Sequence, residues 1–94
     1  MKELRFEWDE IKAGTNFDKH GVTFEEACTV FYDAAAIIIS DPDHSEDEDR
    51  FLILGLSTRA RALVVCHCYR ENEAVIRIIS ARKATKTESS HYKR

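Results

Sequence analysis

The sequence predicts an α+β fold in which two N-terminal helices pack on a four- to five-stranded, mainly antiparallel sheet, with a short helix at the C-terminus. Helix caps and a helical apolar stripe fall before residue 33. Segments rich in Ile, Val and Leu follow, the last three joined by hairpin-length links. At 94 residues, 44% hydrophobic and 33% charged, the chain fits a single domain over residues 1–94.

The N-terminal third predicts one strand and two helices. Residues 4–8 alternate apolar and charged side chains, as in a half-buried strand. Asp9 as N-cap and Gly21 as C-cap bound the first helix. Thr23 and Glu26 match a capping box, so the second helix begins after Thr23. Its apolar stripe, which needs a sheet to cover, consists of Phe24, Ala27, Cys28 and Phe31.

The remaining chain predicts the sheet and the terminal helix. The expected strands are residues 35–40, 50–57, 61–69 and 74–80. Six acidic residues lie between Asp41 and Asp49, where their mutual repulsion favours a solvated loop. Thr85 and Glu88 match a second capping box, which opens a short helix through Tyr92.

The charge is strongly polarised along the chain. Residues 1–50 hold five basic and fourteen acidic side chains, a net charge of −9, whereas residues 51–94 hold nine and three, a net charge of +6. The basic half is available to contact phosphates. No glycine-rich phosphate loop or nucleophile elbow is present, which argues against nucleoside triphosphate chemistry. With no export signal and no apolar run near ~20 residues, the chain is expected to be cytoplasmic and away from membranes.

The cysteines are expected to be reduced thiols, and no cofactor or metal is expected. Cys66 and Cys68 flank His67 on a predicted strand, so the imidazole points away from both sulfurs and the three cannot chelate one ion. The acidic segment lacks the central glycine and the spacing of a calcium loop.

Arginines supply the most informative chemical pattern. Arg70, Arg77 and Arg82 lie on or just after apolar strands, so they either line a groove for an anion or pair with the acidic half. Such a groove, with His67 nearby, has what metal-free RNA cleavage requires: cations for the phosphate and a group that exchanges protons. Exposed arginines are also ordinary, and a lone histidine on an apolar strand also fits a hydrogen-bonded core residue.

Strand register decides which of these side chains share a face. A four-residue turn over positions 70–73 places His67 and Arg77 on opposite faces. The candidate sets are then His67 with Arg82, or Arg70 with Arg77. A bulge or a turn of odd length would instead let His67 and Arg77 reach one phosphate, and the sequence leaves this open.

Several blocks of sequence, taken together and in order, resemble the BrnT family of toxins over nearly the whole chain. They are Phe6-Glu7-Trp8-Asp9, the KHGVTFEEA block at residues 19–27, Asp41-Pro42-Asp43-His44 with Glu48 and Arg50, Gly55 and Ser57, and the RIISAR block at residues 77–82 with Glu88 and Tyr92. The KHGVTFEEA and RIISAR blocks at this separation are the most specific.

The resemblance implies a RelE-like ribonuclease fold and the toxin of a type II toxin–antitoxin system, which cleaves RNA and so blocks translation and arrests growth. It also implies a BrnA-like antitoxin, which is a ribbon-helix-helix protein. The resemblance further implies that the toxin–antitoxin pair contacts DNA only through this antitoxin and represses its own operon. The catalytic residues implied by matching positions are His67, Arg70, Arg77, Arg82 and Tyr92, and the RNA-binding residues are Lys19, His20 and Glu88. The chain departs from the family pattern at Ala60, usually glycine, and at Cys66 and Cys68.

A second function fits the same residues. The basic face, with apolar neighbours such as Tyr32 and Phe51, can also belong to a non-catalytic module that docks an acidic or disordered protein segment. Sequence-specific DNA binding by this chain alone is disfavoured because no basic recognition helix is predicted.

Overall fold

The predicted α+β architecture is present in a computed structural model, which describes residues 3–41 and 49–92. The elements are β1 Phe6–Glu7, α1 Glu10–His20, α2 Phe24–Thr29, a 3-10 helix Val30–Tyr32, β2 Ile37–Ser40, β3 Phe51–Leu56, β4 Ala62–Arg70, β5 Val75–Lys83 and α3 Lys86–Ser89. The strand order is β1-β5-β4-β3-β2. Among the strands of the described residues, β1 alone is parallel to its neighbour, so the predicted α+β class with a mainly antiparallel sheet is confirmed.

Side-chain and glycine caps define α1 as predicted. The Asp9 carboxylate accepts the backbone N–H groups of Ile11 and Lys12 at 2.8 and 3.1 Å. Gly21 adopts φ of +70°, the left-handed conformation that ends many helices.

The two predicted capping boxes have different outcomes. At α3, the Thr85 N–H donates to the Glu88 carboxylate at 2.9 Å and the Glu88 N–H donates to the Thr85 hydroxyl at 3.1 Å. This capping box is therefore confirmed. Thr23 accepts the Glu26 N–H at 3.0 Å, but the Glu26 carboxylate points to the β3–β4 hairpin instead of returning to Thr23. The second half of that box is therefore wrong. The terminal helix is also shorter than predicted: it ends at Ser89 and not at Tyr92.

Several strand boundaries shift, and pairing explains the two largest changes. The first strand is reduced to Phe6–Glu7, the two residues that pair with β5. The last strand extends beyond Ser80 to Lys83 because residues 81–83 pair with residues 63–65 of β4. The solvated loop predicted at 41–49 is wrong for Asp41, which is only 7% exposed. Residues 42–48 lie outside the described residues.

Helices α1 and α2 cover one face of the sheet, here called the covered face. Its buried centre includes Ile53, Val65 and Ile78, against which Phe24 and Ala27 of α2 pack. The other face, here called the open face, carries the alternate residues of the strands. None of the described helices is long and apolar enough to span a membrane.

Two small residues and one side-chain amide shape the turns and the contacts between the helices and the sheet. A Cβ at Gly55 would lie 2.9 Å from Val30 Cγ1, so β3 approaches the 3-10 helix where only glycine fits. Ala60 has φ of +61° in the β3–β4 turn, which explains why glycine suits this position. The Asn16 side chain of α1 bonds the Ala81 N–H and C=O at 3.1 and 2.9 Å and so caps the outer edge of β5.

Candidate functional site

A β-bulge in the β4–β5 hairpin sets the faces of the candidate residues. Near the turn, Cys68 is opposite Arg77 and His67 is opposite Ile78, but Cys66 is opposite Ser80. The extra residue in β5 reverses the alternation beyond it. Because opposite residues share a face, the open face receives Arg77, Ser80 and Arg82 together, with Arg70 at the end of β4.

The two sequence alternatives are resolved by this register. His67 and Arg77 lie on opposite faces, as a four-residue turn predicts, although that turn consists of residues 71–74 and not 70–73. The set that joined His67 with Arg82 is wrong, because the bulge moves Arg82 to the face opposite His67. Arg70 and Arg77 do share a face, as the second set predicts.

Arg82 is held in a two-pronged ion pair. Its Nη1 and Nη2 donate to Glu88 Oε1 and Oε2, both at 2.8 Å, with the two side chains 38% and 33% exposed. The Arg82 guanidinium lowers the pKa of Glu88 to about 2. The predicted RNA-contacting Glu88 is thus bound to the predicted catalytic Arg82, and the pair fastens α3 to the open face.

Arg77 also has a carboxylate partner. Its Nη1 donates to Glu7 Oε2 of β1 at 2.9 Å, with the Arg77 side chain 30% exposed. A partial exposure of this kind lets a phosphate compete with the carboxylate for the guanidinium.

His67 is a core residue in this structure. Its side chain has no exposed surface and lies edge-on to the Phe31 ring at 4.7 Å. Nδ1 donates to the Val65 carbonyl at 3.2 Å, and Nε2 lies 3.3 Å from the Tyr69 hydroxyl. Burial lowers the pKa of the imidazole, so it is neutral and shielded from any substrate.

The other predicted site residues lie at two margins of the sheet. Lys19 and His20, in the last turn of α1, line a shallow groove of about 250 Å³ together with Ser80 at the outer edge of β5. Beyond α3, the Tyr92 hydroxyl donates to Asp33 Oδ2 at 2.5 Å. The Leu56 N–H and this phenol lower the pKa of Asp33.

A buried ionic cluster joins α2 to the β3–β4 hairpin, and sequence reasoning missed it. The Glu26 carboxylate, 4% exposed, accepts Arg61 Nε at 2.9 Å and Ser57 Oγ at 2.6 Å, and a second guanidinium nitrogen of Arg61 bonds its other oxygen. These bonds lower the pKa of Glu26. The sequence around Glu26 indicates a helix cap, and its actual partner, Arg61, is 35 residues away.

No group of three or more His, Cys, Asp or Glu side chains suited to a metal ion occurs within residues 3–41 and 49–92. Cys66 and Cys68 are reduced thiols on the open face, whereas His67 lies on the covered face, as the strand alternation predicts.

A comparison with protein families decides the family of the chain. The model of the ribonuclease toxin BrnT of type II toxin–antitoxin systems matches residues 8–88. The chain belongs to the BrnT family. The match confirms the family predicted from the sequence motifs, and membership of that family indicates a toxin role for the chain.

Structural similarity agrees with this BrnT assignment. The crystal structure of the Brucella abortus ribonuclease toxin BrnT has a TM-score of 0.68 and 22% sequence identity, covering 89% of this chain and 100% of that chain. The likeness is one of fold. No curated protein matches the BrnT-type chain in a sequence comparison.

The Arg82–Glu88 pair predicts an acid-dependent loss of stability. Glu88 in the unfolded chain takes up a proton near its ordinary pKa of 4.5, whereas in the folded chain it does so only near 2. The contribution of the pair is therefore complete above pH 4.5 and is lost as the pH falls towards 2.

We expect the free energy of unfolding, measured with urea between pH 6 and pH 2.5, to fall less steeply for Glu88→Gln than for the wild type. Glu25→Gln, at an exposed position of α2, is the control and should follow the wild type. Identical pH profiles for Glu88→Gln and the wild type would contradict the assignment.

Proposed function

We propose that this chain is an endoribonuclease toxin that cleaves RNA on the open face without a metal ion, in the cytoplasm. The observation that carries the proposal is the bulge, which collects Arg77, Ser80 and Arg82 on one partly exposed face of β5. Family membership supplies the ribonuclease and toxin role. The arginines supply the chemistry.

Arg82 is the residue that we assign to the scissile phosphate. Its guanidinium already binds a carboxylate through two parallel N–H bonds, and a phosphate accepts the same geometry. Arg77 is five residues away along β5, roughly 15 Å at ~3.3 Å per residue. We therefore assign Arg77, with Arg70 beyond it, to neighbouring phosphates of the same RNA strand.

Proton transfer completes the reaction. The RNA 2′-hydroxyl attacks the phosphorus and the 5′-oxygen leaves, so one proton is removed and one is supplied. We assign one of these roles to Tyr92. Its hydroxyl must give up the hydrogen bond to Asp33 and form a hydrogen bond to the RNA instead. The proposal gives His67 no direct role because the side chain is fully buried.

Lys19 extends the cationic surface beyond β5, with the His20 imidazole beside it. They line the groove that reaches Ser80, so RNA that crosses the open face towards this edge meets further donors to its backbone. Glu88 holds Arg82 in place before RNA binds, and it gives up the two guanidinium N–H bonds when a phosphate takes its position.

The proposed partner is a BrnA-like ribbon-helix-helix antitoxin, and DNA is contacted only through the complex, which represses its own operon. The description of the family as type II, in which the antitoxin is a protein, supports a protein partner. The RelE-like classification of the fold also stays a prediction.

Cleavage in the presence of a chelator tests the metal-free reaction. Purified toxin, freed from its partner, should degrade single-stranded RNA at the same rate with and without excess EDTA, because arginines replace a metal as the source of positive charge. Activity that is lost on chelation and restored by one divalent ion would contradict the mechanism.

The alternative of a non-catalytic binding module is favoured by one observation. Arg77 and Arg82 both have carboxylate partners, so part of the charge of the open face is already neutralised. Absence of RNA cleavage under any of these conditions, with a protein partner still bound, would support that alternative.

A further inference from the structure

Residues 85–92, here called the C-terminal strap, lie beyond the last bond of the β4–β5 ladder, which joins the Ala84 N–H to the Ala62 carbonyl at 2.9 Å. None of the strap residues is buried. A groove of about 450 Å³ is lined by Glu88 and His91 of the strap together with apolar side chains of β2, β3 and β4. The strap is therefore not packed tightly on the strands, and specific polar contacts hold it in position.

Two of these contacts engage the groups that the proposed reaction needs. Glu88 accepts two N–H bonds from the Arg82 guanidinium, both at 2.8 Å. The Tyr92 hydroxyl donates to Asp33 Oδ2 at 2.5 Å. The proposed function assigns Arg82 to the scissile phosphate and Tyr92 to proton transfer. In this conformation both groups bind carboxylates of their own chain in place of RNA.

The two contacts belong to one hydrogen-bonded unit. The His91 N–H donates to the Glu88 carbonyl and the Tyr92 N–H donates to the Ser89 carbonyl, both at 3.0 Å. These turns connect Glu88 directly to Tyr92, four residues later. A displacement of Glu88 away from the sheet therefore moves Tyr92 as well.

A phosphate can take the place of Glu88 on Arg82. The Arg82 and Glu88 side chains are 38% and 33% exposed, so water can solvate the carboxylate once it is released. Ion pairs with this exposure are weak, and a phosphate diester offers two oxygens in the geometry that a guanidinium accepts. An RNA strand that also contacts Arg77 supplies its next phosphate at a high local concentration.

We propose that the C-terminal strap is autoinhibitory: it closes the site in the free chain, and an RNA phosphate opens it by replacing Glu88 on Arg82. The same movement withdraws the Tyr92 hydroxyl from its carboxylate. The inference rests on the proposed function. RNA thus brings the two reacting groups into use by binding, which is induced fit, and the closed population lowers the apparent affinity for RNA.

Binding of a strand that cannot be cleaved tests the closed state. The probe is a single-stranded 2′-O-methyl RNA of mixed sequence, which supplies phosphates but lacks the attacking hydroxyl. Its affinity is measured by fluorescence anisotropy at one fixed salt concentration. We expect Glu88→Gln and Tyr92→Phe each to bind about three- to tenfold more tightly than the wild type, as when a third to a tenth of the wild type is open.

Tyr92→Phe leaves the charge and the body of the domain intact. The substitution removes one hydroxyl, and Asp33 still accepts the N–H groups of Ala35 and Leu56 at 3.0 and 2.8 Å. Tighter binding of this variant thus has no electrostatic origin. Cleavage is not the readout here, because both substituted residues also take part in the proposed reaction.

A double-variant cycle separates the strap from simple charge repulsion. Glu88→Gln removes a negative charge, which by itself favours RNA. If the gain comes from release of the guanidinium, it disappears when Glu88→Gln is made in the Arg82→Ala background. Glu25→Gln, at an exposed position of α2, is the matched charge control and should bind nearly like the wild type.

Hydrogen exchange in the free chain tests whether the strap opens as one unit. The Ser89 and Ser90 N–H groups bond the carbonyls of Thr85 and Lys86 at 2.8 and 3.1 Å. A four-residue helix is unstable without tertiary contacts, so both amides should exchange faster in Glu88→Gln and, by a similar factor, in Tyr92→Phe. The Ala13 amide of α1 should exchange at the wild-type rate, which shows that the fold is intact.

Each other outcome overturns the inference. Unchanged or weaker probe binding in both variants rejects the closed state, and so does a wild type that does not bind the probe. A gain in Glu88→Gln that persists without Arg82 assigns the effect to charge repulsion. Unchanged exchange of the Ser89 and Ser90 amides rejects a strap that opens as one unit. A wild type that binds the probe but cleaves no RNA would reject the proposed function, while the affinity ratios still decide this inference.

Discussion

Arg82→Ala is expected to lower kcat/KM for RNA cleavage about 30- to 1000-fold, which corresponds to about 2–4 kcal/mol of lost transition-state stabilisation. In the proposed reaction, the Arg82 guanidinium contacts, through two aligned donors, the phosphate whose charge increases in the transition state. Steady-state cleavage of one defined single-stranded RNA, with folding checked by circular dichroism, measures the change.

Arg82 also fastens α3, so the experiment needs variants that separate anchoring from catalysis. Glu88→Gln weakens the same ion pair but keeps the guanidinium, and we expect it to lose less than tenfold in kcat/KM. Arg59→Ala, at a 71% exposed arginine of the β3–β4 turn, should be unaffected. Equal losses in Arg82→Ala and Glu88→Gln would show that the ion pair acts only by holding α3.

Arg61→Met should destabilise the fold by about 3 kcal/mol, the typical cost of leaving one member of a buried ion pair without its partner. Glu26 is 4% exposed and loses two guanidinium bonds in this variant, keeping the Ser57 hydroxyl bond and the largely exposed Arg59 guanidinium at 4.0 Å. Urea unfolding at neutral pH measures the effect. For a domain of this size, the corresponding shift of Tm is of order 10 °C or more.

Two further variants test whether charge is the cause. Arg59→Met removes the guanidinium that lies 4.0 Å from the same carboxylate but is largely exposed, so its effect should stay within about 0.5 kcal/mol. In the double variant Glu26→Met with Arg61→Met, no buried charge remains and much of the lost stability should return. A small effect of Arg61→Met alone, close to that of Arg59→Met, would contradict the importance of the buried pair.

Local signals predicted the helices and caps well because their causes lie within a few residues. Asp9, Gly21 and Thr85 act on backbone groups of the adjacent helix, and their residue types suffice to identify them. Glu26 shows the limit of this reasoning. Its spacing from Thr23 fits a cap, but an arginine 35 residues away competes for the carboxylate and binds it.

The candidate site could be predicted in composition but not in geometry. Alternation places Arg77 and His67 on different faces of the sheet, yet the face of Arg82 depends on a single extra residue near Ile79 that no glycine or proline marks. The burial of His67 depends on Phe31, which a 3-10 helix brings over the strand from far along the chain. Both facts arise from tertiary packing.

The chemical identity of the new 3′ end after cleavage tests the proposed reaction most directly. One RNA is incubated with purified toxin in excess EDTA beside the same RNA with a single 2′-deoxy nucleotide at the cut position, and the products are weighed by mass spectrometry. Attack by the 2′-hydroxyl predicts a 2′,3′-cyclic phosphate on the upstream fragment and no cut at the deoxy position. A 3′-hydroxyl end, or cleavage of the deoxy substrate at an equal rate, would contradict metal-free cleavage by the arginines of the open face.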